Sequence, residues 1–140
     1  MLCGVFIRYK RVMKKILLIL IAFVAITATI SGLLMISNPD GVIFNLSLSL
    51  LDGTPFKNFK IPGIILAAVV GGINILALFF NTRRNVNGYN WALAGGTVVC
   101  GWIAVQLLLI HAVYWLHFLY LGIGILIILL AYQLKGKWAV

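Results

Sequence analysis

Residues 91–134 run for 44 positions without one lysine, arginine, aspartate or glutamate. Nothing else in the chain limits its fold so sharply. A helix crosses the hydrocarbon of a bilayer in about 20 residues, because each residue advances it by about 1.5 Å. The stretch is about twice that length, so it predicts a hairpin of two membrane helices. No Gly or Pro marks the turn, which is placed at residues 111–115, where His111, Tyr114 and Trp115 interrupt the aliphatics. The third and fourth spans are then residues 91–110 and 116–134.

Two earlier runs are of the same kind, residues 16–36 and 62–80, and Pro62 is expected as the first helical residue, where its missing N–H would have no internal partner. The chain is 64% hydrophobic and 9% charged. A soluble domain carries about 25% charged residues, so this composition cannot cover a water-facing surface. The expectation is one all-α membrane domain over residues 1–140, a bundle of four transmembrane helices.

The net charge of +9 raises nucleic-acid binding, and the positions of the charges argue against it. Arg8, Lys10, Arg11, Lys14 and Lys15 precede the first span, Arg83 and Arg84 separate the second from the third, and Lys135 and Lys137 follow the fourth. Only Lys57 and Lys60 fall at the other ends. Basic residues collect on the cytoplasmic side of membrane proteins, so both termini are expected there. Residues 37–61 and the 111–115 turn are then external. The run after Met13-Lys14-Lys15 resembles a signal peptide, and cleavage would leave three spans. Its apolar run of 21 residues and the lack of an A-x-A site favour a retained helix.

Lipid is as apolar as leucine, so membrane helices associate through close backbone approach and polar pairs. Ala92, Gly96, Cys100 and Ala104 recur every four residues in the third span, and Gly63, Ala67 and Gly71 do so in the second. These two stripes are expected to meet as the tightest contact of the bundle. Asn74 and Thr97 sit at matching depth and are expected to share a hydrogen bond.

No Asp, Glu, Lys or Arg lies inside a span, which argues against a proton relay or charged pore. HExxH, P-loop and GxSxG motifs are missing, and Gly122-x-Gly124 lies in an apolar run with no strand before it. Cys3 and Cys100 should lie at different depths, so no disulfide is expected. The remaining candidates for catalysis or metal binding are external: Asp40, Asp52, His111 and His117, with Gln106 nearby. Carboxylates and imidazoles suit zinc or iron, or acid–base work on a headgroup. The six-residue spacing of the histidines does not place them on one helix face, and no cofactor or metal is expected.

The external segment has a pattern of its own. Read as a helix over residues 41–52, it sets Asn45, Ser49 and Asp52 on one face and Val42, Ile43, Leu46, Leu50 and Leu51 over much of the rest. Asn38 or Asp40 would cap its start and Gly53 would end it. Such a helix lies flat at the interface over the bundle.

The strings Pro39-Asp40-Gly41, Thr54-Pro55-Phe56, Ile61-Pro62-Gly63 and Gly71-Gly72, with Trp102 and Gln106, resemble a family of small four-helix bacterial membrane proteins that has no assigned activity. The resemblance covers the chain from about residue 15 and implies a compact inner-membrane bundle. The expected function is an accessory or structural role in the bacterial inner membrane, beside a larger membrane protein or a second copy. The alternatives are a transporter or channel subunit for a neutral or lipophilic solute, which would use Asn74, Thr97 and Gln106, and a membrane enzyme built on the outer Asp and His residues.

Overall fold

The computed structural model describes residues 2–109 and 113–136. Its elements are all helical, with no strand among the described residues. Among the described residues, four helices are long and apolar enough to cross a membrane. We number them α1 (Leu2–Ser37), α2 (Lys60–Thr82), α3 (Gly88–Leu109) and α4 (Trp115–Leu134). Each packs on the next in chain order, and α1 closes the ring against α4.

The core follows from helical periodicity. Leu17, Ile21, Val24 and Ala28 form one buried stripe of α1, meeting Val70 and Ala77 of α2, Ala92 and Val99 of α3, and Ile127 and Ala131 of α4. The opposite faces are apolar too. Ile16, Ile19, Phe23, Ile26, Ile30 and Leu33 of α1 are all exposed. Helices that are apolar all round are compatible with a helical membrane protein.

The basic N-terminal residues are not a tail before the helix. α1 begins at Leu2, so Arg8 to Lys15 ride on a continuous helix that extends about 20 Å beyond residue 16. No proline breaks it, and Lys10 sits one turn after Phe6 with its Nζ 4.7 Å from the ring. α2 also starts earlier than its apolar run, at Lys60, whose N–H is taken by Asn58 Oδ1 at 3.0 Å. Pro62 is then the third helical residue, still among the positions with no internal N–H bond. Residues 66–71 of α2 form a π turn, coinciding with the small residues Ala67, Ala68 and Gly71.

The two small-residue stripes do not meet each other. A Cβ on Gly63 would fall 2.7 Å from Met35 Cβ, and one on Gly71 would strike the Thr29 hydroxyl, so the α2 stripe packs on α1. Its counterpart there is Gly32, against the backbone of Ala67 and Gly63. The α3 stripe packs on α4: a Cβ on Gly96 would fall 2.9 Å from Gly124 O, and one on Gly124 would fall 2.8 Å from Cys100 Sγ. Ala92 is in the core, whereas Ala104 is exposed. Four-residue spacing identifies close-packing faces but cannot name their partners.

The Asn74–Thr97 bond is also absent. Asn74 is fully buried and gives its Nδ2 to Val70 O at 2.8 Å and Gly95 O at 3.4 Å. Thr97 is exposed and bonds back to Leu93 O at 2.7 Å. A threonine that satisfies itself on its own helix needs no partner on another. Asn74 instead fills the space over Gly95, where a Cβ would fall 2.5 Å from its Oδ1. Gly95→Ala is therefore expected to cost about 1–3 kcal/mol by overpacking. Asn74→Ala alone should cost close to the ~0.6 kcal/mol average for a membrane side-chain hydrogen bond, since Oδ1 has no partner to lose. The double variant should regain most of the Gly95→Ala loss. Thermal unfolding of the four proteins in one detergent measures this, and strict additivity would refute the interlock.

One end of the bundle is tied by polar side chains. Asn81 donates to Ala77 O and Gly88 O, both at 2.7 Å, joining the end of α2 to the start of α3. Lys135 Nζ donates to Asn90 Oδ1, joining the end of α4 to α3. Arg83 and Arg84 lie at this end as well, so we call it the basic end.

Candidate functional site

The other end is covered by residues 38–59, which are not the single amphipathic helix expected over 41–52. Two short 3-10 turns stand there, Val42–Phe44 and Leu48–Leu51. Gly41 (φ 78°) and Asn45 (φ 55°) adopt left-handed backbone, which stops the first turn from propagating. Ser47 Oγ then accepts from Ser49 N at 3.2 Å. Short polar side chains compete with helical bonding in this way. Gly41, not Asn38 or Asp40, stands at the cap position of the first turn, without a side-chain cap bond, and Asp40 Oδ1 accepts locally from Val42 N at 3.3 Å. Gly53 follows the second turn at φ 82°.

The segment is pinned inward. Phe59, 2% exposed, donates its backbone N–H to Pro39 O at 2.9 Å and closes the loop. Its ring lies under Gly41, where a Cβ would fall 2.8 Å from Phe59 Cε2. Leu51 is buried as well. Val42, Ile43 and Leu48 point outward. Asn45, Ser49 and Asp52 are exposed, but no continuous helix face unites them.

Under this cover lies a cavity of about 530 Å³, with a smaller adjoining hollow of about 150 Å³. Thr27, Ser31 and Met35 contribute the α1 wall, one turn apart. Leu66 and Val70 of the π turn supply the α2 wall, and Val99, Trp102, Ile103 and Gln106 the α3 wall. His117 and Tyr120 come from α4, while Phe44, Asn45 and Leu46 close the top. Both hollows share Met35, Leu46, Trp102, Gln106, Tyr114 and His117. No charged side chain belongs to either lining among the described residues.

His117 is 8% exposed, and its placement has a local cause. Tyr114 N donates to His117 Nδ1 at 3.0 Å, and His117 N donates to Tyr114 O at 3.0 Å. The pair closes the first turn of α4 as a capping box does, with imidazole in the role usual for Glu or Gln at the third helical position. An acceptor three residues after Tyr114 is visible in the sequence. A histidine is simply not the residue type that marks such a box.

The other outer candidates do not join it. Asp40 is occupied by the Val42 turn and Asp52 is exposed, and neither lines the cavity with His117. Among the described residues, no three His, Cys, Asp or Glu come together as a metal-binding group. His111 lies outside the described residues. Gln106, which the sequence placed near the outer interface, does share the cavity lining with His117. Trp102, four residues earlier, shares its face.

The arrangement can bind more readily than it can react. Ligand sites are commonly concave, about 300–1,000 Å³, largely apolar, with a few converging polar groups. This cavity has that size and that lining. No family model, curated protein or solved structure matches the chain.

Proposed function

We propose that this chain is a small multi-pass protein of the bacterial inner membrane that holds an uncharged lipophilic molecule beneath residues 38–59. The observation that carries the reading is the cavity of about 530 Å³ at the end away from Arg83 and Arg84, apolar but for a few neutral side chains. By sequence, nine of the eleven Lys and Arg residues precede the first apolar run or follow the second or the last. The positive-inside bias supports cytoplasmic termini and an outward-facing cavity. An accessory role is then that of a holder, keeping a lipophile at the outer leaflet for a larger membrane protein or a second copy. With both carboxylates off the lining, the enzyme reading loses its Asp–His pair in this cavity.

Native mass spectrometry of the full chain, released from mild detergent, tests the reading. The expected spectrum shows the protein carrying one small lipophile that survives mild activation. Release of the bare chain alone, under conditions where a control membrane protein keeps its annular lipid, would refute it.

A further inference from the structure

The class of molecule follows from what the cavity wall offers, and this step rests on the reading of the cavity as a binding site. Nδ1 of His117 already accepts from Tyr114 N. A neutral imidazole that accepts at Nδ1 carries its proton on Nε2, so His117 has only a donor left to offer. That Nε2 has no hydrogen-bond partner among the described residues, although the side chain is more than nine-tenths buried and lines the cavity. The indole N–H of Trp102, also a donor only, belongs to the same wall. The Gln106 amide adds two donors and an acceptor, again without a partner among the described residues.

Among these three side chains donors outnumber acceptors, the hydroxyls of Ser31, Tyr114 and Tyr120 and the Asn45 amide can serve either way, and no cation belongs to the lining to neutralise an anion. A phosphate placed here would be buried without a counter-charge, which is costly. We infer that the cavity selects a lipophile whose buried polar end is an uncharged carbonyl, held by His117 Nε2–H and the Gln106 amide. Two sources share this chemistry: the ring of a quinone and the ester of an acyl lipid. The apolar walls from α1 and α2 would take the adjoining hydrocarbon.

Three probes separate the possibilities when titrated into the full chain in phosphatidylcholine nanodiscs. They are a short-tailed benzoquinone, a short-chain diacylglycerol, and an alkylbenzene of matched tail length without oxygen. At least one carbonyl probe is expected to bind about tenfold or more tightly than the alkylbenzene, the scale of two modest hydrogen bonds. Gln106→Leu should weaken that probe by about fivefold and should not weaken the alkylbenzene. Because His117→Phe also removes the α4 cap, Gln106→Leu, which leaves the cap intact, is the decisive variant. Tight binding of the quinone alone, the diacylglycerol alone, or both supports the inference and identifies the source. Equal binding of all three overturns the carbonyl assignment while leaving a lipophile site. A carbonyl preference that Gln106→Leu does not change overturns the assignment to these residues. Failure of every probe to bind removes the site itself.

Discussion

Replacing Gly32 with leucine is expected to destabilise the bundle by about 3 kcal/mol, the upper part of the range for overpacking. A Cβ at this position would fall 2.6 Å from the backbone nitrogen of Ala67, from its Cβ, and from Gly63 O. Two of those three atoms are backbone, so no side-chain rotation relieves the clash. α1 would have to move off α2, and Leu17, Ile21, Val24 and Ala28 would lose their packing with it. The internal control lies on α2. A Cβ added to Gly72 would meet nothing within 4 Å, so Gly72→Ala should be neutral or gain up to about 1 kcal/mol from helix propensity. Denaturation in a graded detergent mixture reads both. Equal stability of the Gly32 and Gly72 variants would contradict the α1–α2 contact.

The adjacent position should behave in the opposite way. Ser31 lines the cavity, one turn from Thr27 and from Met35, on a different side of α1 from the close approach that Gly32 makes to α2. Ser31→Phe places a ring in empty volume. It is expected to leave the unfolding midpoint nearly unchanged and to reduce lipophile retention by about tenfold or more, since the ring and the ligand need the same space. Retention with the wild-type occupancy would place the ligand elsewhere. A fall in stability like that of Gly32→Leu would show that the cavity at Ser31 is already filled by packing.

The helical class and the four apolar helices are legible in the sequence because they rest on composition and length. A 44-residue uncharged run has few other fates. Close-packing positions are legible too, since Gly63, Gly71 and Gly96 all sit where a Cβ has no room. Their partners are not, because spacing on one helix carries no information about the facing helix. Gly32 is hidden for the same reason: it is the one glycine of residues 16–36, with Ala28 four residues before it, and only the approach of Ala67 and Gly63 makes it special. Over residues 38–59 periodicity misleads. Over residues 41–52 the polar positions Asn45, Ser49 and Asp52 recur at helical spacing, but Gly41 and Asn45 turn left-handed and the serines bond locally. Asn74 stands out in the sequence as a polar group at depth, while Thr97 has a cheaper partner on its own helix. Of the outer candidates, His117 and Gln106 reach one cavity because α3 and α4 bring them there. The carboxylates stay on the covering segment.

The central claim is that the covered cavity, and not the outer face of the helices, is where a lipophile resides. Photo-crosslinking tests this most directly, using a diazirine-bearing lipophile incorporated with the full chain in nanodiscs and peptide mapping of the adducts. The expected labels fall on residues facing inward at the capped end, Met35, Leu46, Trp102 and Tyr120 among them, and are lost in Ser31→Phe. Labels confined to the outward residues Ile16, Ile19, Phe23 and Ile26, unchanged by Ser31→Phe, would contradict it.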